Sequence, residues 1–233
     1  MAITKSSTAK IIVLSAGAVQ PGMTSVIAAF RRKTSHDVQV TFATAPAISK
    51  RIAGGNKIDV VVAPATVLDE LVRAGHTSLR QRVMVGRIGV GVMVRDGERL
   101  PKIATVEEFR DSLLSAESVV YNQASTGIYL DRLFERLGIG EQLKAKTTRY
   151  PDAAAVLDHI SKGKGDEIGL GATTVIMEGQ SRGLRFVGPL PQEIQNYTAY
   201  MAAVMTDGTA ALEFLRYISS PEAKRAFATA GIG

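Results

Sequence analysis

The chain has 233 residues, of which 45% are apolar, so it can form one large domain or two small lobes with proper cores. No apolar run approaches the roughly 18 residues of a membrane span, and the absence of cysteine excludes disulfides, thiolate metal sites and cysteine nucleophiles. The net charge is +6, but the basic residues are scattered and there is no tryptophan, which favours a solvated basic surface over nucleic-acid binding.

The first ten residues are polar and lack the apolar core of a signal peptide. Two locations stay open at this point. The protein is cytoplasmic if the chain is native as written, and periplasmic if a signal peptide was removed before Met1.

The first part of the chain alternates strands and helices. Asp59–Ala63 is a short apolar run of the kind that is buried on both faces of a parallel sheet. Repeated strand–helix–strand order indicates an α/β fold with helices on both faces of the sheet. The predicted strands are 11–14, 38–42 and 59–63, and the predicted helices are 22–33, 46–54 and 66–74.

A second strand–helix series follows a polar turn at Asp96-Gly97. Thr105 is predicted to cap a helix, with Glu108 as its capping-box partner. Strand 87–94 is predicted before this turn. After it, the predicted strands are 118–121, 168–170, 184–187 and 198–205, and the predicted helices are 106–114, 128–137, 151–162, 208–217 and 221–229. The last strand and helices can return to the first series. We therefore predict two lobes, 10–97 with 198–233 and 98–197, with a ligand cleft between them.

The first candidate site is the turn Ser15-Ala16-Gly17-Ala18, between a buried strand and a helix whose first turn contains Pro21. Small residues allow a ligand to approach the backbone closely. The free N–H groups of the helix that follows can hold an anion. We therefore expect Ser15, Gly17 and Ala18 to contact a ligand.

Two further turns share this character. Thr44 and Ala45 follow the second predicted strand, and the turn 122–127 follows the strand 118–121. From the latter turn we expect ligand contacts from four residues, namely Asn122, Ser125, Thr126 and Gly127. Ligands of open α/β sheets bind at the carboxyl ends of the strands, where all three turns lie. Ordinary helix capping by serine and threonine is the alternative for any single turn.

Two more side chains could reach a ligand. Arg149 could bind a carboxylate with two parallel hydrogen bonds, although a surface arginine near a helix start is equally plausible. Tyr197 lies where the chain crosses towards the last strand, and its hydroxyl could contact a ligand or its ring could simply pack at a hinge.

The sequence contains no pattern for a metal site, a resident cofactor or a catalytic nucleophile. The three histidines, His36, His76 and His159, are separate in sequence, and no phosphate-binding loop or nucleophile elbow is present. Asp59 begins a buried strand, which favours a structural role over that of a base.

Several segments are similar to one known family. They are "SAGAV", "VTFATAPAISKRIAGG", "IDVVVAPATVLDELVRAG", "NQASTGIYLDRLFERLGI" and "FLRYISSPEAKRAFATAGI". The chain resembles the type II periplasmic solute-binding proteins of ABC transporters, in the molybdate-binding branch, over residues 10 to 232. The resemblance implies two α/β lobes, a hinge of two strands and one ligand between the lobes.

The resemblance also implies which ligand contacts are altered. In molybdate binders, serines stand where this chain has Ala18 and Ala45, and a tyrosine stands where this chain has Gly171 or Ala172. Thr126 occupies a position where a backbone amide contacts the ligand. A tetrahedral oxyanion would thus lose several hydrogen bonds worth about 1.5–3 kcal/mol each, so an organic carboxylate is the better fit.

The expected function is capture of a small anion by a solute-binding protein, without catalytic residues of its own. The same branch includes aconitate isomerase, so an isomerase acting on an unsaturated tricarboxylate by proton transfer is the alternative. The resemblance implies ABC transporter membrane subunits as partners if the protein is periplasmic, and we expect a monomer. The ligand itself is not identified by the sequence.

Overall fold

A computed structural model describes residues 8–77 and 81–233. The chain divides into two compact units, Met1–Arg87 with Ala199–Gly233, and Ile88–Thr198. The first boundary between the units, after Arg87, therefore falls inside a long strand, Arg82–Arg95. The lobes expected from sequence have this boundary in the polar turn after that strand. The second crossing falls within the strand Tyr197–Val204.

The described residues contain nine strands. They are β1 (Lys10–Ala16), β2 (Asp37–Ala43), β3 (Val60–Pro64), β4 (Arg82–Arg95), β5 (Ser118–Asn122), β6 (Thr147–Tyr150), β7 (Glu167–Ala172), β8 (Leu184–Pro189) and β9 (Tyr197–Val204). The order of strands and helices confirms the α/β class predicted from the alternating pattern.

Ten α-helices connect and follow these strands in the described part of the chain. They are α1 (Gln20–Thr34), α2 (Ala45–Ala53), α3 (Ala65–Arg73), α4 (Val106–Ser115), α5 (Ser125–Arg136), α6 (Gly140–Lys144), α7 (Ala153–Lys162), α8 (Thr173–Gly179), α9 (Thr209–Ile218) and α10 (Pro221–Thr229). None of these helices is both long and apolar enough to cross a membrane.

The first unit is built on strands in the order β2-β1-β3-β9. β1 runs parallel to β2 and to β3, and β9 pairs antiparallel with β3. All five residues of β3 are buried, as its continuous apolar sequence predicts. Asp59, just before β3, accepts a hydrogen bond from the Ile12 N–H at 2.9 Å and one from the Thr206 hydroxyl at 3.0 Å. Asp59 thus has a structural role.

The second unit has the strand order β4-β7-β5-β6, with β8 also paired to β4. β5 runs parallel to β6 and β7, whereas β4 runs antiparallel to β7 and β8. One core lies around Phe109, Leu130 and Leu133, and a second lies around Val120 and Ile160. The capping box of α4 is confirmed, because the Thr105 hydroxyl accepts from the Glu108 N–H at 3.2 Å.

Three short elements, α6, β6 and α8, are absent from the sequence prediction, and one helix is misplaced there. α5 begins at Ser125, three residues before the predicted start at residue 128. Residues 125–127 therefore form the first turn of a helix and not a loop. The early start goes with local contacts of Asn122 and Gly127, described below, which helix propensity does not register.

Candidate functional site

The carboxyl ends of β1 and β2 lie side by side in the first unit. Ser15 is in register with Phe42 and Ala16 with Ala43, so Thr44 and the turn after Ala16 are neighbours. Ser15 is also in register with Val62 of β3. The structure thus brings together the first two turns that the sequence predicts as ligand contacts.

The turn after β1 is short, and part of it is exposed to solvent. Ser15 is fully buried, and its hydroxyl donates to the Ala16 carbonyl at 3.3 Å. Gly17 and Ala18 lie in a 3₁₀ turn that leads into α1, and both are partly exposed. A Cβ placed on Gly17 would have no atom within 4 Å, so the space beside this backbone is empty.

Thr44 precedes α2 in an extended conformation, and Ala45 is the first residue of that helix. Both are partly exposed. The Thr44 carbonyl accepts the first helical hydrogen bond, from the Ile48 N–H at 2.9 Å, but its hydroxyl does not cap the helix within the described structure. The hydroxyl and the first amides of α2 are therefore available for another acceptor.

The third predicted turn, in the second unit, is closed by internal contacts. The buried Asn122 accepts a hydrogen bond from the Ala124 N–H through Oδ1 at 2.9 Å. A Cβ on Gly127 would lie 1.6 Å from the Asn122 carbonyl oxygen, so this position requires glycine. These two contacts fold Ser125 and the buried Thr126 into the first turn of α5.

The helices that start at these turns begin without a side-chain cap from any described residue, as do α3, α6, α8 and α9. α4, α7 and α10 are capped by their own side chains, Thr105, Asp152 and Ser220. Of the residues that the structure describes, none provides a side-chain cap at the starts of α1, α2 and α5. Uncapped helix starts present N–H donors and partial positive charge, which favour a bound anion.

Arg149 is held within the second unit. It forms an ion pair with Asp131 at 3.1 Å and lies over the Tyr121 ring at 5.3 Å. Because Arg149 is in register with Tyr121 and not with Asn122, it lies on the opposite face of the sheet from Asn122. Together with Phe134 these residues line a cavity of about 350 Å³. Burial, and then the hydrogen bond to Asp131, raise the pKa of Tyr121 well above its usual value.

Tyr197 is the first residue of β9 and is 62% exposed. Its Cε1 atom lies against Gly89, 3.2 Å from where a Cβ would be. The edge of the ring therefore lies beside β4, and most of the residue is exposed to solvent.

Two of the histidines have partners that the sequence does not reveal. His159 Nδ1 lies 2.8 Å from the Tyr150 hydroxyl, and its Nε2 lies 2.9 Å from Glu167. His36 accepts from the Ala9 N–H at 3.1 Å and pairs with Glu213 at 3.2 Å. The part of the chain that the structure describes holds no group of three or more metal-binding side chains.

Tyr200 is a buried tyrosine that the sequence does not single out. Tyr200 of β9 is in register with Pro64, where β3 ends and α3 begins. It is 5% exposed, and burial raises its pKa to about 12. The signal is long-range, because only the β3–β9 pairing shows that this tyrosine lies near the carboxyl end of β3.

Comparison with known proteins gives consistent results. Residues 11–233 match the family described as "Bacterial extracellular solute-binding protein". An aconitate isomerase from Pseudomonas sp. is 30% identical over 231 residues, which cover 94% of this chain and 86% of that protein.

Solved structures share the fold at lower identity. The periplasmic molybdate-binding protein of Azotobacter vinelandii has a TM-score of 0.77 at 16% identity, over 96% of this chain and 98% of that one. A sulfate-binding protein from Mycobacterium tuberculosis has a TM-score of 0.74 at 18% identity, over 96% and 86%. These structures confirm the periplasmic-binding-protein fold that the sequence resemblance implies.

Proposed function

Because the chain belongs to the bacterial extracellular solute-binding protein family, we propose that it captures a small anion, and that this anion is an organic carboxylate. The observation on which the proposal rests is the set of uncapped helix starts, α1 and α2 in the first unit and α5 in the second. Each follows the carboxyl end of a parallel strand, where α/β proteins bind ligands. Backbone amides there suit a carboxylate without a dedicated cationic side chain.

The residues at these turns favour a carboxylate over a compact oxyanion. Ala18 and Ala45 offer no hydroxyl, and Gly17 has empty space beside it. A tetrahedral oxyanion depends on many short hydrogen bonds, whereas a larger carboxylate gains from the free volume. The 30% identity to an aconitate isomerase supports the same ligand class, since aconitate is an unsaturated tricarboxylate.

The proposed contacts come from the turns of both units. In the first unit they are Ser15, Gly17, Ala18, Thr44 and Ala45, and in the second they are Asn122, Ser125, Thr126, Gly127 and Tyr197. Arg149 is a further proposed contact, and its ion pair with Asp131 occupies part of its guanidinium. That one ligand contacts both sets is part of the proposal. So are a periplasmic location, a monomeric state and delivery to the membrane subunits of an ABC transporter.

The second candidate function is isomerisation of the bound carboxylate, which the similarity to aconitate isomerase favours. In such a reaction a base removes a proton from the carbon next to the double bond. The double bond shifts by one position and a proton is returned at its other end, so no oxidant or cofactor is consumed. Binding and isomerisation use the same ligand class and differ in whether the ligand leaves unchanged.

A thermal-shift screen followed by calorimetry tests the ligand class. A ligand that binds only the folded chain raises its stability by RT ln(1 + [L]/Kd). We expect stabilisation by cis-aconitate, trans-aconitate or citrate, and little by molybdate, tungstate or sulfate. Sub-micromolar affinity for molybdate would refute the carboxylate assignment.

A second measurement separates the two functions. The chain is incubated in D₂O with cis-aconitate or trans-aconitate, and the products are followed by proton NMR. A binding protein returns the ligand unchanged, whereas an isomerase interconverts the two forms and introduces solvent deuterium.

A further inference from the structure

Tyr197 is highly exposed, whereas the backbone that carries it is held in place by its neighbours. The residue is 62% exposed, yet its ring atom Cε1 lies beside the backbone of β4 at Gly89. A Cβ on Gly89 would lie 3.2 Å from Tyr197 Cε1 and 3.4 Å from the Gln195 side-chain amide. The missing side chain of Gly89 therefore leaves the space that the tyrosine ring and the amide share.

Gln195 is anchored more firmly than a surface glutamine. Its Oε1 accepts from the Val90 N–H at 2.9 Å, and its Nε2 donates to the Val90 carbonyl at 3.0 Å. Oε1 also accepts from the Asn196 N–H at 2.9 Å. The amide thereby bonds both backbone groups of Val90 in β4 and holds the backbone just before Tyr197.

We propose that Gly89 and Gln195 are positioning residues that hold the Tyr197 ring ready to contact the ligand. The inference rests on the proposed function, and all three residues lie in the second unit. An exposed ring whose backbone is already held in place loses little conformational freedom when it contacts a ligand. Its hydroxyl can donate to a carboxylate, while its open face covers the apolar part of an organic anion.

A double-mutant cycle tests the coupling, with calorimetric Kd for cis-aconitate, trans-aconitate and citrate as the readout. We expect Tyr197→Ala to raise Kd about tenfold, through loss of a hydrogen bond and of ring contact. Gly89→Ala displaces the ring by a few tenths of an ångström and is expected to raise Kd about threefold. In the Tyr197→Ala background, Gly89→Ala should leave Kd unchanged.

Gly188→Ala is the matched control. Its new Cβ would lie 3.3 Å from the tip of Ile103, a similar crowding in the same unit but away from Tyr197. We expect its Kd to equal that of the parent. Thermal unfolding of each variant separates loss of binding from loss of folding. Gln195→Ala gives a second route, and it should raise Kd only when Tyr197 is present.

The outcomes distinguish this inference from the proposed function. If the parent binds a carboxylate and Gly89→Ala raises Kd by the same factor with and without Tyr197, the positioning role is overturned alone. If the parent binds none of the three carboxylates, the proposed function and the positioning role are overturned together.

Discussion

The candidate turns of the two units are built in opposite ways. In the first unit, Gly17 has empty space beside it and the Thr44 hydroxyl does not cap its helix. In the second, Gly127 presses against the Asn122 carbonyl and the Asn122 side chain accepts from the Ala124 N–H. The same sequence character, small and polar residues after a strand, thus leaves open space in one unit and closes the backbone in the other.

This difference indicates that substitutions in the first-unit turns change binding more than folding, and that the opposite holds for the second-unit turn. The largest expected effect compares two glycines. Gly127→Ala should lower the free energy of unfolding by about 3 kcal/mol or more, because its Cβ would overlap a backbone oxygen. Gly17→Ala should leave it unchanged or raise it by up to about 1 kcal/mol. Urea denaturation measures both, and equal losses would contradict the comparison.

Ala18→Asp should abolish carboxylate binding while the chain still folds, because Ala18 is partly exposed. A fixed negative charge beside an anion in a desolvated site costs several kcal/mol, or more than 100-fold in Kd. Ala18→Asn, of the same size without the charge, is the control, and calorimetry is the measurement. Parent-like affinity in a folded Ala18→Asp variant would show that the first-unit turn is not in the site.

Ionisation of Tyr200 is expected to lower the stability of the folded chain at alkaline pH. Burial raises its pKa from the ordinary value of 10.0 to about 12, so the tyrosine stays protonated to a higher pH in the folded state than in the unfolded state. The stabilisation is present below pH 10 and is lost between pH 10 and about 12, by about 2 kcal/mol. Tyr200→Phe should flatten this decline in pH-dependent urea denaturation. A decline of unchanged steepness would disprove the assignment.

The two side chains before the helices should differ in their contribution to stability. Asn122→Ala leaves the Ala124 N–H without its acceptor, and we expect a loss of about 1 kcal/mol. Thr44→Ala removes no capping hydrogen bond and should change stability by less than about 0.5 kcal/mol. Thermal unfolding of the two variants is the measurement, and a larger loss of stability in Thr44→Ala than in Asn122→Ala would contradict the comparison.

Among the binding variants, the smallest effect is expected for Thr126→Ala. Thr126 lies in the first turn of α5, where the proposed contact is made by the backbone amide and not by the hydroxyl. Kd for the carboxylate should rise by about twofold to fivefold. A loss of 100-fold, measured by calorimetry on a folded variant, would mean that the hydroxyl is a principal contact.

Much of the fold could be predicted from sequence because its signals are local. The apolar run that became β3, the capping box of α4 and the strand–helix alternation each depend on residues close together in the chain. The candidate turns after β1 and β2 were found in the same way. Hydrophobic periodicity does not show that the two turns are neighbours. The register between β1 and β2 shows it, because the hydrogen bonds between these strands place the two turns side by side.

The sequence by itself determined the α/β class, the order of most elements and the family, because hydrophobic period, caps and motifs are written in consecutive residues. Tertiary structure alone decided that Arg149 pairs with Asp131 and that His159 joins Tyr150 to Glu167. Each of these depends on atoms brought together by packing and strand pairing between separate elements. Local propensity does not encode such contacts, since their partners are chosen when the sheet and helices come together.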